Sequence, residues 1–285
     1  MASAFELPSD MGLKVDTCVA RHQGDRREQQ DRSAIFAHPK RGGVMLAALA
    51  DGMGGHSGGA MAAEQVMLKA KQNLEIFNPG ESPQELLDGM IREAHVVIKL
   101  TRFTSEQDPH STAVLLLLHG GRADWAHTGD SRLYHFRGDC LVHMSGDHSL
   151  VAEMVRKGSL TIDQARHYPH KNILIGCLGG EREPMIDHGR VEQLQDGDTF
   201  LLCSDGLWAY FEPEELGGVL KAFAPREAAE MLVNRARERA EGAGDNISLV
   251  IVKLSDPEAA KLEKAKADAA VARKMLDESK RRSGR

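Results

Sequence analysis

The sequence lacks the features that mark several large protein classes. Its four cysteines (Cys18, Cys140, Cys177 and Cys203) are scattered, with no CxxC pair. That excludes a disulfide framework and the paired-cysteine zinc modules, and the expected state is buried, reduced thiol. Long hydrophobic runs are absent too. The longest, residues 113–118 (AVLLLL), falls far short of the ~20 residues that cross a bilayer. The N-terminal stretch MASAFELPSD carries neither a basic region nor an apolar core, so no signal peptide and no membrane contact are expected, and the expected location is cytoplasmic. Positive charge is not in excess: the net charge of -6 argues against a general nucleic-acid binder. There is no GxGxxG after a strand pattern and no Walker-type lysine loop, which removes the common nucleotide-binding α/β enzymes.

What remains is an ordinary soluble composition, 41% hydrophobic and 27% charged, over 285 residues. That suffices for one large domain or two small ones. Strand patterns fall at 14–22, 33–37, 44–50, 113–119, 122–127, 133–137, 140–144, 191–193, 199–203 and 247–254, several joined by tight turns that favour antiparallel pairing. A stretch rich in Ala, Met, Glu and Lys predicts a helix over 59–77. A second helix starts at Ser82-Pro83-Gln84-Glu85, where Ser82 caps, Pro83 suits the first turn and Glu85 completes a capping box. Leu86, Leu87, Met90, Ile91, Ala94, Val97 and Ile98 then share one face, which calls for a sheet to pack on. A third helix is expected over about 225–240. Residues 1–12 read as a lead-in and 13–254 as the folded domain. Residues 255–285, rich in Ala, Lys, Glu and Arg, read as a charged helical or disordered tail.

One local pattern occurs twice. The apolar stretch at 44–50 runs into Asp51-Gly52, and the one at 199–204 runs into Asp205-Gly206. A strand fixes where the carboxylate points, and glycine lets the backbone turn sharply and approach a ligand. Asp130, in Thr128-Gly129-Asp130-Ser131-Arg132, also stands where a strand pattern ends. Asp245, in Gly244-Asp245-Asn246, precedes one. Each could be a separate turn residue. Grouped together, four carboxylates would repel one another unless hard cations held them, and all-oxygen ligation suits Mg²⁺ or Mn²⁺ better than Zn²⁺.

These residues resemble a known family. Asp51-Gly52-Met53-Gly54-Gly55-His56, Ser111-Thr112-Ala113, Thr128 to Arg132, Gly146-Asp147-His148-Ser149, Cys203 to Leu207 and Gly244 to Ser248 resemble, in order, the motifs of the metal-dependent (PPM, type 2C) Ser/Thr protein phosphatases of the bacterial stand-alone type. The resemblance implies an α+β fold, a four-layer αββα sandwich of two antiparallel sheets flanked by helices. It implies hydrolysis of phosphoserine and phosphothreonine in proteins by a water activated between two Mn²⁺ or Mg²⁺ ions. Asp51 would bridge the pair and act as a catalytic residue, the Gly52 carbonyl would ligate one ion, and Asp205 and Asp245 would complete the other. Asp130 would hold a third, weaker ion. Arg26 would bind the substrate phosphate, and Asp31 and Gln30 would act through water.

Three positions depart from the family pattern. Gln30 stands where a Glu is usual, Met53 where many members have a histidine, and Ala209 where some have an acid. His56 is then the nearest histidine for the leaving-group proton, residues 149–171 match the family's flap beside the site, and the His167/His170 pair within it is a weak candidate for binding metal. The implied partners are phosphorylated proteins, substrates of a cognate Ser/Thr kinase. The Gln29-Gln30-Asp31 stretch looks most like members that control type VI secretion, and a monomer is expected. The competing reading is a catalytically weak or inactive phosphoprotein-binding module of the same fold.

Overall fold

The computed structural model describes residues 4–6, 12–54, 58–78, 80–102, 107–170 and 173–258. Its strands are β1 (Ala4–Glu6), β2 (Lys14–His22), β3 (Arg32–Ala37), β4 (Met45–Ala50), β5 (Gly52–Met53), β6 (His110–Ser111), β7 (Ala113–His119), β8 (Arg122–Thr128), β9 (Arg132–Arg137), β10 (Cys140–Met144), β11 (Asp187–Val191), β12 (Asp198–Cys203) and β13 (Ile247–Ser255). Its helices are α1 (Gly58–Ile76), α2 (Pro83–Thr101), α3 (Leu150–Arg156), α4 (Ile162–Arg166), α5 (Asp205–Trp208), α6 (Pro213–Ala222) and α7 (Pro225–Ala240).

One sheet has the order β1-β2-β13-β12-β9-β10 and the other β11-β8-β7-β4-β3, with a small β5-β6 ladder between chain segments. All pairings are antiparallel. Alternation along the strands builds three apolar layers. Met45, Ala47, Leu49, Leu116 and Trp125 of one sheet meet Val15, Leu133, Phe200, Leu202 and Val250 of the other in the centre. The opposite faces carry Leu46, Ala48, Leu115 and Leu117 against α1 and α2 (Val66, Leu87, Ile91), and Leu201, Leu249 and Ile251 against α5, α6 and α7 (Leu207, Leu216, Leu232). This is the expected four-layer αββα arrangement. It explains why β4 and β12 read as unbroken apolar runs, since both of their faces are covered.

The start signals of α2 hold in part, with the Ser82 half of the expected capping box formed and no Glu85 half among the described residues. Ser82 accepts a hydrogen bond from the Glu85 amide (3.3 Å) with Pro83 in the first turn, and Leu87, Met90, Ile91, Ala94 and Ile98 are buried. Two expectations shift. The expected strand at 191–193 is instead β11, Asp187–Val191, a polar edge strand. It passes under Trp125 at Gly189, where a Cβ would stand 2.2 Å from the indole. Helix α6 was hidden by Gly217-Gly218; Gly217 packs its bare Cα against the Asp139 carbonyl, 2.3 Å from where a Cβ would sit. All four cysteines are free, but only Cys18 and Cys203 are buried. Cys140 lies exposed on the edge strand β10, and Cys177 is half-buried. Most of the expected tail, residues 259–285, lies outside the described residues.

Candidate metal centre

Register brings the acidic residues to one edge of the sandwich. In one sheet Arg32 pairs with Ala50, so Asp31 and Asp51 flank a shared end. Ala113 pairs with Thr128, which puts Asp130 at that end too. In the other sheet Cys203 pairs with both Leu249 and Arg132. Asp205, Asp245 and Asp130 therefore follow or precede strand ends that lie side by side. The five carboxylates come from five chain segments and meet because antiparallel strands alternate direction.

Their electrostatics record the crowding. Burial, then the charges of Asp31, Asp205, Asp130 and Asp245, drive the Asp51 carboxyl far above the usual carboxylate range. Burial also raises Asp31, with Asp205 adding to it while the hydrogen bond from Ser204 opposes it. Asp130 is pushed up to about 7, by burial first and then by Asp205 and Asp147. Asp205 rises through burial and the charge of Asp245. Without a cation the cluster can persist only by taking up protons.

A hydrogen-bonded frame holds the carboxylates in place. The Asp51 amide donates to the Thr112 hydroxyl (2.9 Å), and the Asp51 carbonyl accepts from the Thr112 amide (2.9 Å) and the Ser111 hydroxyl (3.1 Å). The Ser204 hydroxyl donates to Asp31 Oδ2 (2.8 Å) and accepts from the Ser248 amide (3.0 Å). The Asn246 side chain accepts from the Gln30 amide (2.7 Å) and donates to the Gln23 and Glu28 carbonyls (2.8 and 3.0 Å), clipping the 23–30 loop to the start of β13. The Trp208 indole donates to the Asp130 carbonyl (2.9 Å). Arg132 stacks over that indole at 3.5 Å while gripping both Asp147 oxygens (2.8 Å each). Glycine permits the close approach at both Asp-Gly steps. A Cβ on Gly52 would stand 2.0 Å from the Gly59 carbonyl oxygen, and one on Gly206 would stand 2.1 Å from that of Asn246.

A model of the protein phosphatase 2C family matches residues 20–244. The chain belongs to this family. It is 31% identical over 234 residues to the serine/threonine phosphatase Stp of Listeria innocua, covering 80% of this chain and 90% of that one. It resembles the structure of PppA, described as a key regulatory component of the type VI secretion system in Pseudomonas aeruginosa. There the TM-score is 0.71 at 28% identity, over 88% of this chain and 100% of that one. The catalytic domain of the phosphatase PstP, solved with two manganese ions, matches with a TM-score of 0.71 at 28% identity, over 86% of this chain and 100% of that one.

The edge of this phosphatase-2C sandwich gathers Asp31, Asp51, Asp130, Asp205 and Asp245. Arg26 reaches over the cluster from an exposed loop and pairs with Asp245 Oδ2 at 2.5 Å. The donor set fits a hard divalent cation: it is all oxygen, and Asp31 Oδ1 is buried without a hydrogen-bond partner among the described residues. Met53 is half-buried next to Gly52, and Ala209 is exposed beyond α5. His56 lies outside the described residues. His167 and His170 form no three-ligand group among the described residues. His167 Nδ1 instead lies 3.0 Å from the Asp163 carbonyl of its own helix, and His170 sits edge-on to Tyr168. The sequence reading missed the frame residues Thr112, Ser204, Asn246 and Trp208. Thr112, Ser204 and Asn246 stood within motifs and Trp208 just after one, but the partner of each lies dozens to hundreds of positions away.

Proposed function

We propose that this chain is a metal-dependent protein-serine/threonine phosphatase, a phosphoric monoester hydrolase acting on phosphorylated proteins. The convergence of Asp51, Asp130, Asp205 and Asp245 on one edge, with Arg26 above them, is the observation that carries this reading. Two Mn²⁺ or Mg²⁺ ions would be held there, with Asp51 shared between them, the Gly52 carbonyl on one and Asp205 and Asp245 on the other; Asp130 would hold a third more weakly. Bound, the pair supplies Lewis acidity and charge neutralisation for phosphoester hydrolysis.

The chain's own groups do the rest. Arg26 offers a planar guanidinium that can take two phosphate oxygens and fix the ester for in-line attack, exchanging its contact with Asp245 for the substrate. Ser204 holds Asp31 through one carboxylate oxygen, which leaves the other free to accept a hydrogen bond from a cation-bound water. Gln30 does the same without charge, which weakens the hold on the nearest cation compared with a glutamate. Trp208 and Thr112 keep the Asp130 and Asp51 backbones rigid.

The substrates would be targets of a cognate Ser/Thr kinase. The likeness to PppA supports a place in type VI secretion control. No helix among the described residues is long and apolar enough to cross a membrane. Gln30 and Ala209 are the positions that would favour an inactive binding module, but the complete set of strand-end carboxylates speaks against it. Initial rates on a phosphothreonine peptide, titrated with Mn²⁺, test the proposal. Metal-dependent turnover lost in Asp51→Asn is expected. No turnover at any metal concentration, or an unaffected variant, overturns it.

A further inference from the structure

A second group of metal-binding side chains lies beside the acidic edge, and the proposed activity does not use it. His127 is the next-to-last residue of β8 and Asp187 opens β11, and the two are direct cross-strand partners. His148 stacks on His127, with ring centroids 4.9 Å apart and planes 18° from parallel. One ligand atom from each of the three lies within 4.8 Å of the others. Both imidazoles are nearly inaccessible, at 2% and 4% exposure, whereas Asp187 is open to solvent.

The hydrogen bonds decide which atoms are free. His127 Nε2 stands 2.8 Å from the Gly146 carbonyl, so that nitrogen carries the proton and Nδ1 keeps its lone pair. Nδ1 is buried and has no hydrogen-bond partner among the described residues. Donating one ring N–H to a carbonyl while the other nitrogen stays open is how metal-binding histidines are oriented. Burial also keeps this imidazole below its ordinary range, hence neutral. His148 Nε2 is likewise buried without a hydrogen bond, with Asp187 Oδ2 3.2 Å away. Two donors on one tetrahedral zinc ion stand about 3.4 Å apart at bond lengths near 2.1 Å.

We infer that His127 Nδ1, His148 Nε2 and the Asp187 carboxylate form a binding site for a transition-metal ion of the Zn²⁺ class. Two nitrogens and one oxygen select a borderline ion such as Zn²⁺ or Co²⁺ over Mg²⁺, the opposite preference to that of the oxygen-only cluster. Water takes the fourth position, and the exposed side of Asp187 is the way in. The ion would clamp the segment leading into α3 to the sheet through β8 and β11. Ligation has two local costs, the first being that one imidazole must turn out of the near-parallel stack, because ring-nitrogen lone pairs lie in the ring planes. The second is that it places the His148 proton on Nδ1, so the long contact from the Gly129 amide (3.3 Å) is given up. Gly129 precedes Asp130, and the clamp is therefore linked to the backbone of the acidic edge.

The test keeps the oxygen-only cluster filled with excess Mg²⁺ and adds Zn²⁺ or Co²⁺ to the whole protein. The expected result is one tightly held Zn²⁺ per chain after gel filtration, a Zn²⁺-induced rise in thermal midpoint, and the intense visible bands of four-coordinate, nitrogen-bound Co²⁺. His127→Gln should abolish all three. Asp187→Asn, on an exposed strand edge where folding is safe, should weaken Zn²⁺ at least tenfold. Retention of the same Zn²⁺ and Co²⁺ spectrum in both variants, or no Zn²⁺ retained by the wild type in Mg²⁺, overturns the inference. Because these readouts are binding and spectra in Mg²⁺-filled protein, they are independent of whether phosphatase activity is found.

Discussion

Replacing Asp130 with asparagine should flatten the pH dependence of stability in the metal-stripped protein. In the fold its carboxyl is pushed up to about 7, by burial and then by Asp205 and Asp147, whereas in the unfolded chain it titrates near ~3.9. The native state therefore keeps a proton that the unfolded chain has already released. The associated stability is fully present below about pH 4 and is lost as pH rises through about 7. Between about pH 5.5 and about pH 8 this linkage amounts to about 2 kcal/mol. Water reaching this partly exposed side chain lowers the expectation to roughly 1–2 kcal/mol. Buried His95 and His127, whose imidazoles burial holds low, act in the opposite direction: their contribution is lost as pH falls. They are common to both proteins and cancel in the difference. Urea unfolding of chelator-treated wild type and Asp130→Asn at the two pH values reads the effect directly. The wild type should lose about 1–2 kcal/mol more than the variant on going to the higher pH. Parallel profiles, or a steeper loss in the variant, would refute the claim that Asp130 is held among uncompensated carboxylates.

Gly206→Ala should lose activity and about 2 kcal/mol or more of stability in thermal melts, because its methyl would meet the Asn246 carbonyl oxygen at 2.1 Å, a backbone atom with nowhere to go. Ser204→Ala strands Asp31 Oδ2 and the Ser248 amide, at a cost of about 1–3 kcal/mol in urea unfolding; an unchanged midpoint would show that the hydroxyl does not hold the frame. Arg26→Ala should raise KM for a phosphopeptide about tenfold with a smaller change in kcat. If Arg27→Ala does so instead, the phosphate contact belongs to the neighbour.

The strand-end aspartates were readable because each follows or precedes a run covered on both faces, and such a run leaves a strong signal in one dimension. The four layers could be drawn from the family resemblance, and the three apolar clusters bear them out. The edge strand β11 was not readable. Its residues, Asp187-His188-Gly189-Arg190-Val191, are largely solvent-facing, and its pairing is chosen by the Trp125 ring that needs Gly189 beneath it. Helix α6 was lost for the related reason that its glycines serve a neighbour's backbone rather than their own helix. The clips made by Asn246 and Ser204 are long-range hydrogen bonds with no local pattern. The pairing of His127 with Asp187 appears only once two strands are set in register.

Anomalous diffraction from crystals soaked in Mn²⁺ is the most direct test of the acidic edge. Two peaks are expected there, both touching Asp51, one also touching the Gly52 carbonyl and the other Asp205 and Asp245. Full soaking with no peak at Asp51, or peaks only at sites remote from these carboxylates, would contradict the account.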